Sequence, residues 1–373
     1  MSDMLKATID LDPVRARLQN RHERSFRLLR DAQRLVLSPH PDADGLSAAA
    51  LIVSGFRLLD RRWSLLPINT ASRSYTREDL DEVRRTKPDI ICFLDLSPNN
   101  PKQLAELKRA GTSLVLVDHH RPPEGLLDLL LLAVNPQPEI HESAGGYPSA
   151  KLVYDLLGAG ARADLALVGV VGDRTTESWR TFTKQFSDED VELAERVAQR
   201  LSTIGTATRI DVREPRPQVL KRQRSLFSYL AHSKTLAAFM TSVEATRPLK
   251  ETYEQLQEGI AASAGKAQVA LESGVEFVHV PIKPTSPWSV ISGVRSRLEL
   301  VAPGQTIVLS EPWHRGVEVR VMTNDPDVDA TELLKGFGGG HTTIGGGHAD
   351  ARASEVVEVL RERWSASKRP STE

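Results

Sequence analysis

The sequence predicts an α/β protein. A domain built on a parallel sheet comes first, then a helical linker, then a smaller α/β domain. Three observations carry this. Short, wholly apolar runs recur between residues 34 and 136, as strands covered on both faces require. Helix-like segments lie between most of them. A second set of strand patterns begins near residue 274, after a long helical stretch.

Taken in order, residues 14–34 (VRARLQNRHERSFRLLRDAQR) have the spacing of a basic amphipathic helix. RLVLSPH (34–40), DIICFLDLS (89–97), SLVLVDHH (113–120) and LLLLAVNP (129–136) read as buried strands. SAAALIVSGFRLL (47–59) and NPKQLAELKRA (100–110) read as helices. LALVGVVGD (165–173) fits a helix or a strand on periodicity alone. Residues 191–235 are polar and helical in pattern and read as the linker; they include REPRPQ and KRQRSLFSYL. The second domain, 236–365, opens with helix and continues with the strands GVEFVHVPI (274–282), TIVLSEP (306–312) and GVEVRVM (316–322). A glycine-rich stretch and the helix ASEVVEVLRERW (353–364) close it, and 366–373 reads as a flexible tail. The first domain is thus expected over 1–190.

The chain has 373 residues, enough for two cores. Its formal net charge is −1, so no global basic field grips a long duplex; a polyanion site has to be local or built with metal ions. The single cysteine, Cys92, excludes a disulfide and a thiolate-rich zinc site, and fits a reduced cytoplasmic setting. No apolar run reaches the roughly 18 residues of a membrane span.

The chemistry-bearing residues collect at strand ends. The first strand runs into HPDADG, where His40, Asp42 and Asp44 alternate and can project to one side. The next strands end in Asp95 and in Asp118, His119 and His120, and GVVGDRT adds Asp173. In open α/β sheets ligands bind beyond the carboxyl ends of the strands. A lone aspartate there is most often a helix cap. So many carboxylates converging repel one another and persist only if cations neutralise them. Oxygen donors with a minority of imidazoles suit Mn²⁺ or Mg²⁺.

HPDADG (40–45), FLDLS around Asp95, VDHH (117–120) and GVVGDRT (169–175) together resemble the four ordered motifs of the DHH phosphoesterase superfamily. AVNPQ and SAGGYPSAKLVYDLL (143–157) follow its pattern between the third and fourth. FGGGHTTIGGGHA (337–349) resembles the glycine-histidine motif of the DHHA1 domain. The resemblance covers most of 34–175 and 270–360. It implies a DHH domain, a DHHA1 substrate-binding domain and two Mn²⁺ ions, with Mg²⁺ as the alternative. One ion would be held by His40, Asp42 and Asp173, the second by Asp44 and His119, with Asp95 shared. His120 would act at the scissile phosphate and Asp118 would orient the histidines. It also implies that 165–173 is a helix ending at the metal site.

In the second domain the glycines Gly338, Gly339 and Gly340 allow close backbone approach to a phosphate, with His341 as donor. GGGH also ends at His348, but the small residues following His341 fit the family spacing better. Met322 stands where the family carries an arginine, and Arg320, two residues earlier on the same strand face, is the expected replacement. Arg295 and Arg297 are further candidates. The resemblance implies a RecJ-like nuclease degrading single-stranded nucleic acid or short oligonucleotides from an end. The alternative is a small-molecule nucleotide phosphatase or a cyclic-dinucleotide phosphodiesterase, and members of the family often dimerise. A non-catalytic nucleic-acid-binding descendant would have lost a metal ligand, and none is lost here. Aromatic residues make up 5% of the chain, which argues against a long base-stacking track.

Overall fold

The computed structural model describes residues 27–56, 62–70, 73–136, 146–158, 160–209, 214–284, 288–298, 303–313, 316–341 and 343–368. The side chains of 62, 313 and 339–341 also lie outside that description. Most of the helix expected over 14–34 falls outside the described residues; 27–31 are helical. The expected tail, 366–373, is helix and turn through 368 and outside them from 369. Among the described residues, no helix is long and apolar enough to cross a membrane.

Contacts divide the described residues into two units, one reaching 209 and including Arg216–Lys250, the other formed by 214–215 and the residues from Glu251 onward. The first unit runs β1 (Arg34–Pro39), α1 (Ala43–Gly55), β2 (Arg62–Leu65), α2 (Arg77–Thr86), β3 (Ile90–Leu94), α3 (Pro101–Arg109), β4 (Ser113–Val117), α4 (Leu126–Leu129) and β5 (Leu132–Val134). There follow α5 (Ser149–Leu157), α6 (Ala163–Gly172), α7 (Arg180–Thr183), α8 (Asp188–Thr206), α9 (Arg216–His232) and α10 (Leu236–Ala245). The five strands form one parallel sheet in the order β2-β1-β3-β4-β5.

The strands read as expected because both faces of the sheet are covered. Val36, Ile91, Phe93, Leu114 and Leu116 pack with Leu80 and Val83 of α2, Leu104 and Leu107 of α3, and Leu126 of α4. Each such side chain contributes about 2 kcal/mol by leaving water. On the sheet's remaining surface lie α1 and α5, and α6, α8 and α9 pack on α1. Helix α1 is buried from Ala43 through Val53, so it is apolar all round rather than amphipathic. The ambiguous run at 165–173 is helix α6. The edge strand β2 has no counterpart among the expected strands, being four residues with an arginine and no apolar run. The stretch expected as linker, 191–235, contains most of α8 and all of α9, and both pack within the first unit.

The second unit begins within α11 (Arg247–Leu271). It continues with β6 (Phe277–Pro281), α12 (Ile291–Arg297), β7 (Thr306–Trp313), β8 (Gly316–Thr323), α13 (Ala330–Leu333), β9 (Gly338–His341), β10 (Ile344–Ala349) and α14 (Ala353–Ser367). Its sheet order is β6-β7-β8-β10-β9, with only β6–β7 parallel. Val317, Val319 and Val321 face an apolar core with Val356, Val357 and Leu360 of α14. The alternating residues Glu318 and Arg320 face the other way, toward Ser289 and Ser292.

Candidate metal centre

The sheet order reverses direction between β1 and β3, and such a switch point opens a crevice at the carboxyl ends of the strands. The hydrogen-bond ladder continues past the strand ends there. His40 N–H donates to Leu94 O at 2.9 Å, Asp95 N–H to Val117 O at 3.0 Å, and Asp118 N–H to Val134 O at 3.1 Å. This sets His40, Asp95 and Asp118 side by side along one edge. Asp95 has φ 58°, the left-handed region, which aspartate tolerates better than most residues.

Each side chain is then held from a second direction. Asp42 caps α1, accepting Gly45 N–H at 3.0 Å, and its other oxygen lies 2.6 Å from His40 Nδ1. Asp44 accepts two backbone N–H groups at the start of α5, Ser149 at 2.6 Å and Ala150 at 2.9 Å. Helix α5 has no cap of its own, because Pro148 stands at that position, so Asp44 supplies the negative charge its N-terminus favours. Helix α5 is anchored by Lys151, which pairs with Asp155 at 2.6 Å and lies 4.3 Å from the Trp179 ring centre. His119 Nε2 is 3.1 Å from Asp95 and 3.3 Å from Asp173. Asp118 accepts the backbone N–H of His119 and His120, the His120 Nδ1–H at 2.8 Å and the Ser97 hydroxyl at 2.5 Å.

Burial dominates the electrostatics. It pushes Asp95 far above the usual carboxylate range, and the charges of Asp42, Asp44, Asp173 and Asp118 add to it. Burial, opposed by the Ala150 amide and joined by the charge of Asp42, pushes Asp44 up to about 7. Burial also works against ionisation of Asp42 and Asp118, but the charge and hydrogen bond of His40 and of His120, respectively, outweigh it and hold both low. For His120, burial opposes the cation and Asp118 outweighs it, so its pKa is raised. A cluster in which buried carboxyls keep protons for want of positive charge has the donor chemistry of a divalent-cation site.

The donor atoms form overlapping groups, with all ligand atoms of a group within 4.8 Å of one another. They are His40–Asp42–Asp95, Asp44–His119–Asp173, and Asp95–Asp118–His119–His120. All are carboxylate oxygens or imidazole nitrogens, which fit Mn²⁺ or Mg²⁺. The grouping departs from the resemblance at two places: Asp95 is not in the group of Asp44, and Asp173 lies with Asp44 and His119, not with His40 and Asp42. The position of Asp173 explains the second. Asp173 caps the C-terminus of α6, and Gly169 of that helix passes so close to Asp44 that a Cβ would overlap the carboxylate.

Sequence reasoning named no role for Ser97, Asn135 or Ser149. Asn135 donates to His120 O at 2.8 Å, and Ser149 Oγ lies 3.3 Å from Asp95. Asn135 and Ser149 lie within the motif stretches, but a hydroxyl or an amide between motifs carries no metal-ligand signature.

In the second unit, Arg320 lies on β8 as expected, 2.6 Å from Glu318 and 3.1 Å from Ser292 Oγ. Gly346 stands directly opposite it, and a Cβ there would meet the guanidinium. Gly338, Gly339, Gly340 and His341 form strand β9, paired antiparallel with β10, rather than a loop. In a strand successive N–H groups point to opposite sides, so they do not converge as a nest would. The His341 side chain lies outside the described residues. His348 stands opposite Glu318 on β10. Arg297 bonds Gln257.

Residues 35–169 match the family described as DHH family, N-terminal domain. A comparison with curated proteins finds no match. Among solved structures, RecJ in complex with Mn²⁺ from Thermus thermophilus is similar with TM-score 0.64 and 20% identity. The alignment covers 99% of this chain and 56% of that one, so this chain spans about half of its length. An exonuclease RecJ bound to manganese is similar with TM-score 0.56 and 20% identity, over 95% of each chain. The DHH domain of a member of a family of ribosomal proteins is similar with TM-score 0.64 and 15% identity, over 94% of this chain and 91% of that one. These likenesses show a shared fold.

Proposed function

We propose that the chain is a metal-dependent phosphoesterase that hydrolyses single-stranded nucleic acid or short oligonucleotides to mononucleotides. The observation that carries this is the pair of donor triads, His40–Asp42–Asp95 and Asp44–His119–Asp173, at the carboxyl edge of a DHH-family sheet. Two solved neighbours named RecJ hold manganese, and another holds Mg²⁺. On this reading each triad would hold one Mn²⁺, with Mg²⁺ as the alternative. Such ions, when bound, supply an activated water and Lewis acidity toward a phosphoryl oxygen.

The remaining work falls to the protein. Asp118 takes the Nδ1–H of His120 and raises the pKa of its ring, which suits this histidine to give a proton to the leaving oxygen. The Ser149 and Ala150 amides keep Asp44 oriented. In the second unit, Arg320, Gly338, Gly339, Gly340 and His341 are the proposed nucleotide-binding residues.

The test is Mn²⁺-dependent digestion of 5′- and 3′-labelled RNA and DNA, from dinucleotides to strands of a few tens of nucleotides. Asp95→Ala and His120→Ala serve as controls. Release of mononucleotides that both substitutions abolish is the expected result. Turnover of nucleotide bisphosphates or cyclic dinucleotides without any of oligonucleotides would replace this substrate class with the small-molecule alternative.

A further inference from the structure

Helix α8 lies beyond the part of the chain that matches the family, 35–169. It packs on α1 and α6, and its last turn meets the loop that joins β1 to α1. Gly205 makes that contact. A Cβ on it would overlap the carbonyl oxygen of Pro41 and would stand 2.8 Å from the Pro41 carbonyl carbon and 3.6 Å from the Asp42 nitrogen. These atoms form the Pro41–Asp42 peptide, in the segment that carries His40 and Asp42. One turn earlier, Ser202 Oγ accepts the Ala43 N–H at 3.2 Å. From α6, Gly172 approaches the same loop, where a Cβ would come within 2.7 Å of the Ala43 Cβ.

Helix geometry does not ask for glycine at 205. The residue is not among the positive-φ glycines, and glycine is the poorest helix former after proline. What requires it is the close approach of the 41–42 peptide. Asp42 follows that peptide directly, His40 precedes it by one residue, and their side chains are tied to each other at 2.6 Å.

We propose that Gly205 is a positioning residue for the first donor triad, assisted by Ser202. By letting the last turn of α8 seat against the Pro41–Asp42 peptide, it sets where the His40 and Asp42 donor atoms stand relative to Asp95. The inference rests on the proposal that this triad holds a divalent ion. It assigns to a helix that reads as linker in the sequence a direct share in metal affinity.

The experiment is Mn²⁺ titration by calorimetry on the full chain, with thermal unfolding of each variant in chelator. Gly205→Ala is expected to weaken binding by about 10–100-fold, as loss of groups supporting metal ligands does elsewhere. Ser202→Ala should weaken it less, and Ser202→Thr, which keeps the hydroxyl, should restore it. Leu107→Ala, a core change on α3, should lower the unfolding temperature and leave Mn²⁺ affinity unchanged. The proposal is overturned if Gly205→Ala binds Mn²⁺ like the parent, or if Leu107→Ala weakens binding as much. If Gly205→Ala does not fold, equal affinities for Ser202→Ala and the parent overturn it. A parent chain that binds no Mn²⁺ instead overturns the reading of the site itself.

Discussion

Each unit buries a cluster of carboxylates, and the two clusters are neutralised differently. In the second unit, Glu311 and Glu318 stand directly opposite each other on β7 and β8, both nearly inaccessible. Arg320 pairs with Glu318, while Glu311 takes the Ser289 hydroxyl and the Val290 N–H, so a permanent cation and neutral donors serve the pair. In the first unit, the partners of Asp42, Asp44, Asp95 and Asp118 are histidine rings, serine hydroxyls and backbone amides. There the largest influences on Asp95 after burial are other carboxylates, all acting against its charge. A buried acid served by a fixed cation is a finished structural element. One surrounded by other acids and titratable rings stays ready for an external cation.

The largest effect expected from this contrast is at Asp95. Asparagine tolerates its left-handed backbone and removes the charge that its neighbours oppose. Asp95→Asn should cut Mn²⁺-dependent hydrolysis by about 1,000-fold or more. In chelator the same variant should unfold at a higher temperature than the parent, because asparagine needs neither a bound proton nor a counter-charge there. Mn²⁺ at about 100 times its Kd should stabilise the parent by about 3 kcal/mol and the variant far less. A variant less stable than its parent without metal would break the comparison.

Glu311 sharpens it from the other side. Burial pushes this carboxyl from its ordinary 4.5 up to about 7, with the Glu318 charge adding to it. For a raised pKa, the stabilisation is complete below the unfolded-state value and is lost as pH climbs through the folded-state value. Between pH 4.5 and about 7 the loss amounts to about 3 kcal/mol. Glu311→Gln should abolish that pH dependence, as followed by urea unfolding on both sides of the window. An unchanged pH profile would mean that the pair is neutralised some other way.

The smallest effect is expected at Gly346. A Cβ there crowds the Arg320 guanidinium, whose flexible tip can swing aside, so Gly346→Ala should cost about 1 kcal/mol. If Arg320 binds substrate, KM should rise while kcat holds. A changed kcat with constant KM would remove Arg320 from substrate binding and leave it as the counter-ion of Glu318.

Much of the site is legible in the chain because its donors lie at the ends of continuous apolar runs. IICFL before Asp95 and SLVLV before Asp118 announce both the strand and the edge where it stops. The helix over 163–172 is not legible this way, since a run apolar on every side has no period to read. The glycine-rich stretch carries no strand signal, since glycine has no side chain to alternate, and pairing with β10 makes 338–341 a strand. Helix α8 reads as linker because its outer face is charged, and only Val197, Leu201 and Ile204 show that it packs.

The sequence alone determined the α/β class, the strands that carry the donors, and the identity of His40, Asp42, Asp44, Asp95, Asp118, His119, His120 and Asp173. These depend on local order: an apolar run, its end, and the residue types that follow. Only the tertiary structure decided which donors share a group, that Asp173 stands with Asp44 and His119, and that Gly205 bears on the Pro41–Asp42 peptide. Asp173 stands 129 positions from Asp44 and 54 from His119, and Gly205 stands 164 from Pro41, so packing between helices, not spacing along the chain, sets these distances.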